Sequence, residues 1–134
     1  MSETKTPIGL FSLKVKENGG AEITVPTDLL QLSLTANSLH VSGHDSSTAP
    51  PPWGAALHIA ETISPRKYEV KAGSGTYYNP KNKGPTWSAT TGEITLETVD
   101  FKNELVKGSF TFTARDGTNR ENTAELSGTF SLGN

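Results

Sequence analysis

The chain has 134 residues, enough for one hydrophobic core but too few for two ordinary domains, so we expect a single domain over residues 1–134. Twelve basic and fourteen acidic residues give a formal net charge of −2, which argues against a nucleic-acid partner because no broad basic surface is available for a phosphate backbone. The chain contains no cysteine, which excludes disulfides, thiolate metal sites and cysteine nucleophiles.

The N-terminal segment, residues 1–7, is polar and lacks the apolar region of a signal peptide. No stretch of the sequence approaches the roughly 20 apolar residues of a membrane-spanning helix. We therefore expect a short polar tail, no transmembrane segment and a cytoplasmic location, and we leave export without a signal peptide open as the alternative.

The dominant pattern along the chain is alternation of apolar and polar residues, which is typical of strands with one buried face. It begins with Phe11, Leu13 and Val15, after which Asn18-Gly19 predicts a type I′ turn into a second strand. The pattern continues at Leu30, Leu32, Leu34, Leu39, Val41, Leu57, Ile59, Tyr68, Val70, Tyr77, Ile94, Leu96, Phe110, Phe112, Leu126, Phe130 and Leu132. Turn residues separate most of these runs, so we count about nine or ten strands.

These strands predict an all-β fold, an antiparallel β-sandwich with a lipocalin-like β-barrel as the alternative. Residues 45–52, which include three prolines, and residues 79–85 are predicted to be exposed loops within this one domain. The exposed strand edges of such a fold favour a homodimer.

Two segments near the C-terminus, residues 108–112 and 128–132, share a glycine, hydroxyl, aromatic, hydroxyl, apolar pattern. The polar residues 115–122 between them have Asp116-Gly117 near their centre, which suits a hairpin turn. We therefore predict that the two segments are partner strands of an antiparallel hairpin.

Together with residues 92–96, this glycine-aromatic pattern resembles a family of β-strand-rich bacterial envelope lipoproteins of unknown function. The resemblance covers about two thirds of the chain, toward its C-terminus. It implies a β-rich fold and no known catalytic activity, and it supplies no site residue. The chain departs from the family in having neither a signal peptide nor a lipid-accepting cysteine, so envelope anchoring does not carry over.

Catalytic motifs are absent from the sequence. It contains no Gly-x-Ser-x-Gly elbow, and no glycine-rich phosphate loop follows a predicted strand. Glu93 and Glu97 alternate onto one face opposite Ile94 and Leu96, which indicates a solvated strand face rather than the paired carboxylates of a glycosidase. We therefore expect a protein that is not an enzyme and has no cofactor.

The histidines are the residues to test as metal ligands. His40 and His44 are too far apart on one strand to share an ion, since four residues span roughly 13 Å. Antiparallel pairing across the proline loop would instead place His40 beside His58 on the wet face, with Asp45 or Glu61 as a third ligand. Solvent-facing strand histidines are the favoured interpretation, so no metal site is predicted.

Aromatic residues near the loops carry the functional prediction. Trp53 follows the proline run, Trp87 follows Gly84-Pro85, and Tyr77-Tyr78 precedes Asn79. Exposed aromatic rings stack on sugars while amide groups bond the hydroxyls, so we expect a lectin-like, non-catalytic binding protein with these residues at its site. Three alternatives stay open: tryptophans that cap the core, a protein-interaction or membrane-active (toxin-like) β module, and a carrier of a small apolar ligand.

Overall fold

The computed structural model of the chain describes residues 8–48, 52–82, 86–119 and 121–133. The predicted tail 1–7 and parts of the two predicted loops, residues 49–51 and 83–85, lie outside the described residues. The described ranges form one short 3₁₀ turn, Pro80–Asn82, and eleven strands: β1 (Ile8–Phe11), β2 (Leu13–Glu17), β3 (Ile23–Val25), β4 (Leu29–Thr35), β5 (Ser38–Asp45), β6 (Trp53–Ile59), β7 (Lys67–Glu69), β8 (Gly75–Tyr78), β9 (Trp87–Asp100), β10 (Leu105–Arg115) and β11 (Thr123–Gly133).

All eleven strands belong to one antiparallel sheet, in the order β3-β2-β11-β10-β9-β8-β6-β5-β4, with β1 also paired to β11 and β7 to β9. This confirms the predicted all-β antiparallel fold. The strands slightly outnumber the prediction, in part because the first apolar run is divided at Ser12 into β1 and β2. None of the described segments forms a helix with the length and apolar character needed to cross a lipid bilayer.

The sheet curls into a half-barrel because its two terminal strands are consecutive in sequence. β3 and β4 lie at opposite ends of the strand order, yet residues 26–28 join them and span at most about 14 Å. Side-chain hydrogen bonds fasten this connection, since Thr27 donates to the backbone oxygen of Phe11, and Ser46 donates to Asp28. The core lies inside the curl, where opposite parts of the sheet face each other as the layers of a sandwich do.

Phenylalanine rings fill the centre of the core, and two glycines make room for them. In the register of β10 and β11, Gly108 lies opposite Phe130 and Gly128 lies opposite Phe110. A Cβ at Gly108 would lie 2.8 Å from Cζ of Phe130, and one at Gly128 would lie 2.9 Å from Cζ of Phe110. Each ring thus occupies the space over the opposing glycine. The predicted hairpin between the two similar segments is confirmed by this register.

Strands β2, β5, β8 and β10 all end at the same end of the curled sheet, which we call the loop end. The connection after β2 begins with the predicted turn, because Asn18 and Gly19 have φ angles of 52° and 72° as a type I′ turn requires. Loops held by a rigid sheet are frequent locations for binding residues.

Candidate functional site

The sequence-predicted site residues lie together at the loop end. Trp53 begins β6, Tyr77 and Tyr78 end β8, and Asn79 follows directly. Trp87 begins β9 and lies opposite Tyr77 in the ladder between β8 and β9. We call these five residues the aromatic site.

Burial divides the aromatic site into two groups. The side chains of Tyr77 and Trp87 belong to the core, with 1% and 4% of their surface exposed, and their rings meet edge to face with centroids 5.8 Å apart. Trp53, Tyr78 and Asn79 are half-buried. Because Tyr78 follows Tyr77 in a strand, its side chain points to the opposite face of the sheet. Trp53 instead lies on the same side as Tyr77, to whose hydroxyl its indole is hydrogen-bonded. A ligand at the loop end would therefore meet Trp53 and Asn79, whereas Tyr78 lies on the other face of the sheet and Trp87 closes the end of the core.

A chain of hydrogen bonds links the aromatic site to a residue that the sequence analysis did not identify, Glu17. The indole Nε1 of Trp53 donates to the hydroxyl of Tyr77 at 3.0 Å. The Tyr77 hydroxyl donates in turn to Oε2 of Glu17 at 2.5 Å, and Nδ2 of Asn79 donates to the same oxygen at 2.8 Å. The network thereby joins three strands and a loop, and the bonds from Tyr77 and Asn79 meet at a single carboxylate oxygen.

Glu17 is the last residue of β2, and a signal for it was present in the sequence. Leu13 and Val15 of the same strand are buried, so alternation places position 17 on the inward face, where a carboxylate is unusual. Such a group needs hydrogen-bond donors, since desolvating a charge without partners is costly. The pattern therefore indicated an inward carboxylate in need of partners, although the identity of those partners depends on the curl of the sheet.

The electrostatics of the network favour fixed hydrogen-bond roles. Burial, and then the bond to Glu17, raise the pKa of Tyr77 far above the ordinary tyrosine value of 10.0, so this phenol stays a donor throughout the neutral range. The backbone N–H of Trp53 donates to the hydroxyl of Thr48 at 2.8 Å, which also holds the start of β6. Among the described residues, every buried side-chain nitrogen and oxygen has a hydrogen-bond partner. The site is therefore organised before any ligand arrives.

The predicted pairing of two histidines across the proline loop is confirmed. His40 in β5 lies directly opposite His58 in β6, and the ring centroids are 6.3 Å apart. Burial first, and the neighbouring His58 second, lower the pKa of His40 below the ordinary value of 6.5. The suggested third ligands are engaged elsewhere, because Asp45 accepts hydrogen bonds from Ser47, and Glu61 forms a 2.7 Å ion pair with Arg66.

Two adjoining depressions on the outer face of the sheet were not foreseen. They have volumes of about 320 and 510 Å³, cross β2, β11, β10 and β9, and share Lys14, Thr111 and Ser127 in their walls. Eight of the eighteen residues that line the two depressions are serine or threonine. The polar residues of β10 and β11 alternate with buried ones, which places them on the outer face.

No family model, curated protein or solved structure matches the chain. The resemblance to bacterial envelope lipoproteins accordingly stays a prediction.

Proposed function

We propose that the chain is a non-catalytic carbohydrate-binding protein whose ligand site is formed by Trp53 and Asn79 of the aromatic site together with Glu17. The observation that carries this proposal is the Glu17 carboxylate, fixed by Tyr77 and Asn79 next to the half-buried indole of Trp53. Sugars present apolar ring faces and many hydroxyls, so an aromatic surface beside a fixed acceptor suits them.

Preorganisation is the second support. Because the indole N–H of Trp53 is already bonded to Tyr77, the orientation of the ring is set before binding. The amide of Asn79 is likewise held by Glu17, and its oxygen accepts from the backbone N–H of Lys81 at 3.0 Å. Binding a sugar here costs less conformational entropy than ordering free side chains would.

The arrangement of Glu17 favours binding over catalysis. Its Oε2 accepts two hydrogen bonds, from a phenol and an amide, neither of which ionises near neutral pH. A glycosidase uses two carboxyl groups placed on either side of a glycosidic bond. The hydrogen bonds around Glu17 instead suit an acceptor that positions sugar hydroxyls.

One observation favours the alternative of a protein-interaction module. Ile8 and Leu10 in β1 are 79% and 77% exposed, and both face outward. Large exposed apolar side chains close together are typical of contact surfaces between proteins. The predicted homodimer through strand edges stays a proposal of the same kind.

The packed phenylalanine rings inside the curl argue against the third alternative, a carrier of a small apolar ligand. The ring centroids of Phe11 and Phe110, for example, are 5.5 Å apart.

A glycan array on the purified chain tests the proposal, together with the variants Trp53→Ala and Glu17→Gln. We expect specific glycan binding by the unchanged chain, and at least a tenfold loss of affinity in each variant. Glu121→Gln is the matched control, because Glu121 is an exposed carboxylate at the same loop end. Circular dichroism checks that each variant is folded.

Lys14→Ala separates the aromatic site from the outer depressions, since Lys14 lines both of them. Loss of binding in Lys14→Ala with full binding in Trp53→Ala would move the site to the outer face. An array without specific binding would reject the carbohydrate proposal and give priority to protein partners.

A further inference from the structure

The pair formed by His40 and His58 lies on the outer face of the sheet, away from the aromatic site. His58 is five residues from Trp53 along β6, which corresponds to about 17 Å of strand. His40 and His58 are directly opposite each other, with ring centroids 6.3 Å apart and ring planes inclined by 53°. Two imidazoles in register on adjacent strands are therefore held side by side by the backbone itself.

The nitrogen atoms of these two rings are available as ligands. Within the part of the chain that the structure describes, no hydrogen bond engages either imidazole, although the backbone N–H of His58 donates to the backbone oxygen of Ser74. The strand that carries His58 is thus anchored through its backbone, and its imidazole is not used for that purpose. A neutral imidazole is a common ligand for transition metals in proteins.

The two rings lie close to the spacing that one metal ion between them requires. A zinc-nitrogen bond of about 2.1 Å places the ion roughly 3.2 Å from each ring centroid, so two rings bound to a tetrahedral ion have centroids roughly 5.2 Å apart. The observed 6.3 Å is longer by about 1 Å. Side-chain rotations that bring the rings together by this amount would aim a nitrogen of each at the same point.

From this geometry we propose that His40 and His58 form a binding site for a divalent late transition-metal ion, with water completing the coordination. Imidazole ligands suit Zn²⁺, Cu²⁺ and Ni²⁺, and they do not suit Mg²⁺ or Ca²⁺, which prefer oxygen. No group of three or more histidine, cysteine, aspartate or glutamate ligands occurs among the described residues. The site is therefore open and exchangeable, in contrast to a closed structural zinc site.

Bound metal would join β5 to β6 at a second point besides the ladder between them. Since a ligand that binds only the folded state stabilises it, the midpoint of thermal unfolding should rise with metal concentration. Both variants that lack one histidine should lose this response. The effect is independent of any glycan and is measurable on the chain alone.

Isothermal titration calorimetry with Zn²⁺, and thermal unfolding with and without Zn²⁺, test the proposal on the full chain. We expect one bound ion per chain, with at least tenfold weaker binding in His40→Gln and in His58→Gln. The matched control is His44→Gln, which removes the chain's third histidine and should keep both the affinity and the thermal response.

Glutamine keeps a polar side chain of similar size, so these variants should fold, and circular dichroism confirms it. Absence of saturable Zn²⁺ binding, unchanged affinity in both His40→Gln and His58→Gln, or an equal loss in His44→Gln would each overturn the proposal. Binding of Zn²⁺ by Trp53→Ala with unchanged affinity would show that the metal site is separate from the aromatic site.

Discussion

The hydroxyl of Tyr77 donates a 2.5 Å hydrogen bond to Oε2 of Glu17, although 60 residues separate the two in sequence. Tyr77 lies in β8 and Glu17 in β2, and three other strands stand between these two in the sheet. The two side chains meet because the sheet curls and brings their strands together across the core. This bond therefore ties the candidate site to the closure of the fold.

The ionisation of Tyr77 should be delayed until the chain unfolds in alkali. Burial and the bond to Glu17 raise its pKa, so the unfolded chain releases the phenol proton at a lower pH than the folded chain does. The resulting stability is fully present below pH 10 and is lost as pH rises above that ordinary tyrosine value. Spectrophotometric titration counts the tyrosines that ionise only at high pH. The Tyr77→Phe variant should have one such tyrosine fewer than the unchanged chain. Reversible ionisation of Tyr77 near pH 10 in the folded chain would contradict this prediction.

Tyr77→Phe should also lower the free energy of unfolding near neutral pH by about 1–3 kcal/mol, because it removes the hydroxyl that accepts from Trp53 and donates to Glu17. Urea denaturation measures the change. The control is Tyr78→Phe, which alters the neighbouring half-buried tyrosine and should change the free energy by less than about 0.5 kcal/mol. Equal losses in the two variants would show that the network contributes nothing specific.

Local features of the fold were predictable from the sequence. Alternation predicted which residues of most strands face inward, and Asn18-Gly19 predicted the first turn. The pairing of His40 with His58 followed from antiparallel order, because their strands are neighbours in sequence and one connection sets the register. Predictions of this kind need only the period of the strand and the chemistry of the turn.

Relationships between distant strands were not predictable in the same way. A period of two shows which face a residue occupies, and it does not show which strand lies across the core. Alternation marks Glu17 as an inward carboxylate, but its partners, Tyr77 and Asn79, were identified only when the structure showed which strands meet across the core. Trp87 follows a proline-containing loop, which favoured exposure, yet it begins the inward series of β9 and is buried.

Gly128→Ala should destabilise the chain by about 1–3 kcal/mol, as overpacking of a core does. A Cβ at this position would lie 1.9 Å from the backbone oxygen of Ser12 and 2.9 Å from Cζ of Phe110. The matched control is Gly117→Ala, since a Cβ at Gly117 has nothing within 4 Å and should change the free energy by less than about 0.5 kcal/mol. Thermal or urea unfolding of both variants measures the difference, and a Gly128→Ala variant as stable as the control would contradict the packing described for Phe110.

Asp116 should contribute stability that is lost in acid. Its Oδ1 accepts from the backbone N–H and the hydroxyl of Thr118 at 2.9 and 2.8 Å, and these bonds lower its pKa below the ordinary 3.8. A lowered pKa in the folded state means that the stability is present above pH 3.8 and disappears as the pH falls through the folded value.

Carboxyl NMR titration should show this low pKa of Asp116. In the Thr118→Ala variant the pKa of Asp116 should rise toward 3.8, because the hydroxyl donor is removed. Asp100 is the internal control, since Asn103 lowers its pKa and the Thr118 variant leaves that contact intact. If the pKa of Asp116 does not respond to Thr118→Ala, the hydroxyl bond does not stabilise the charged carboxylate.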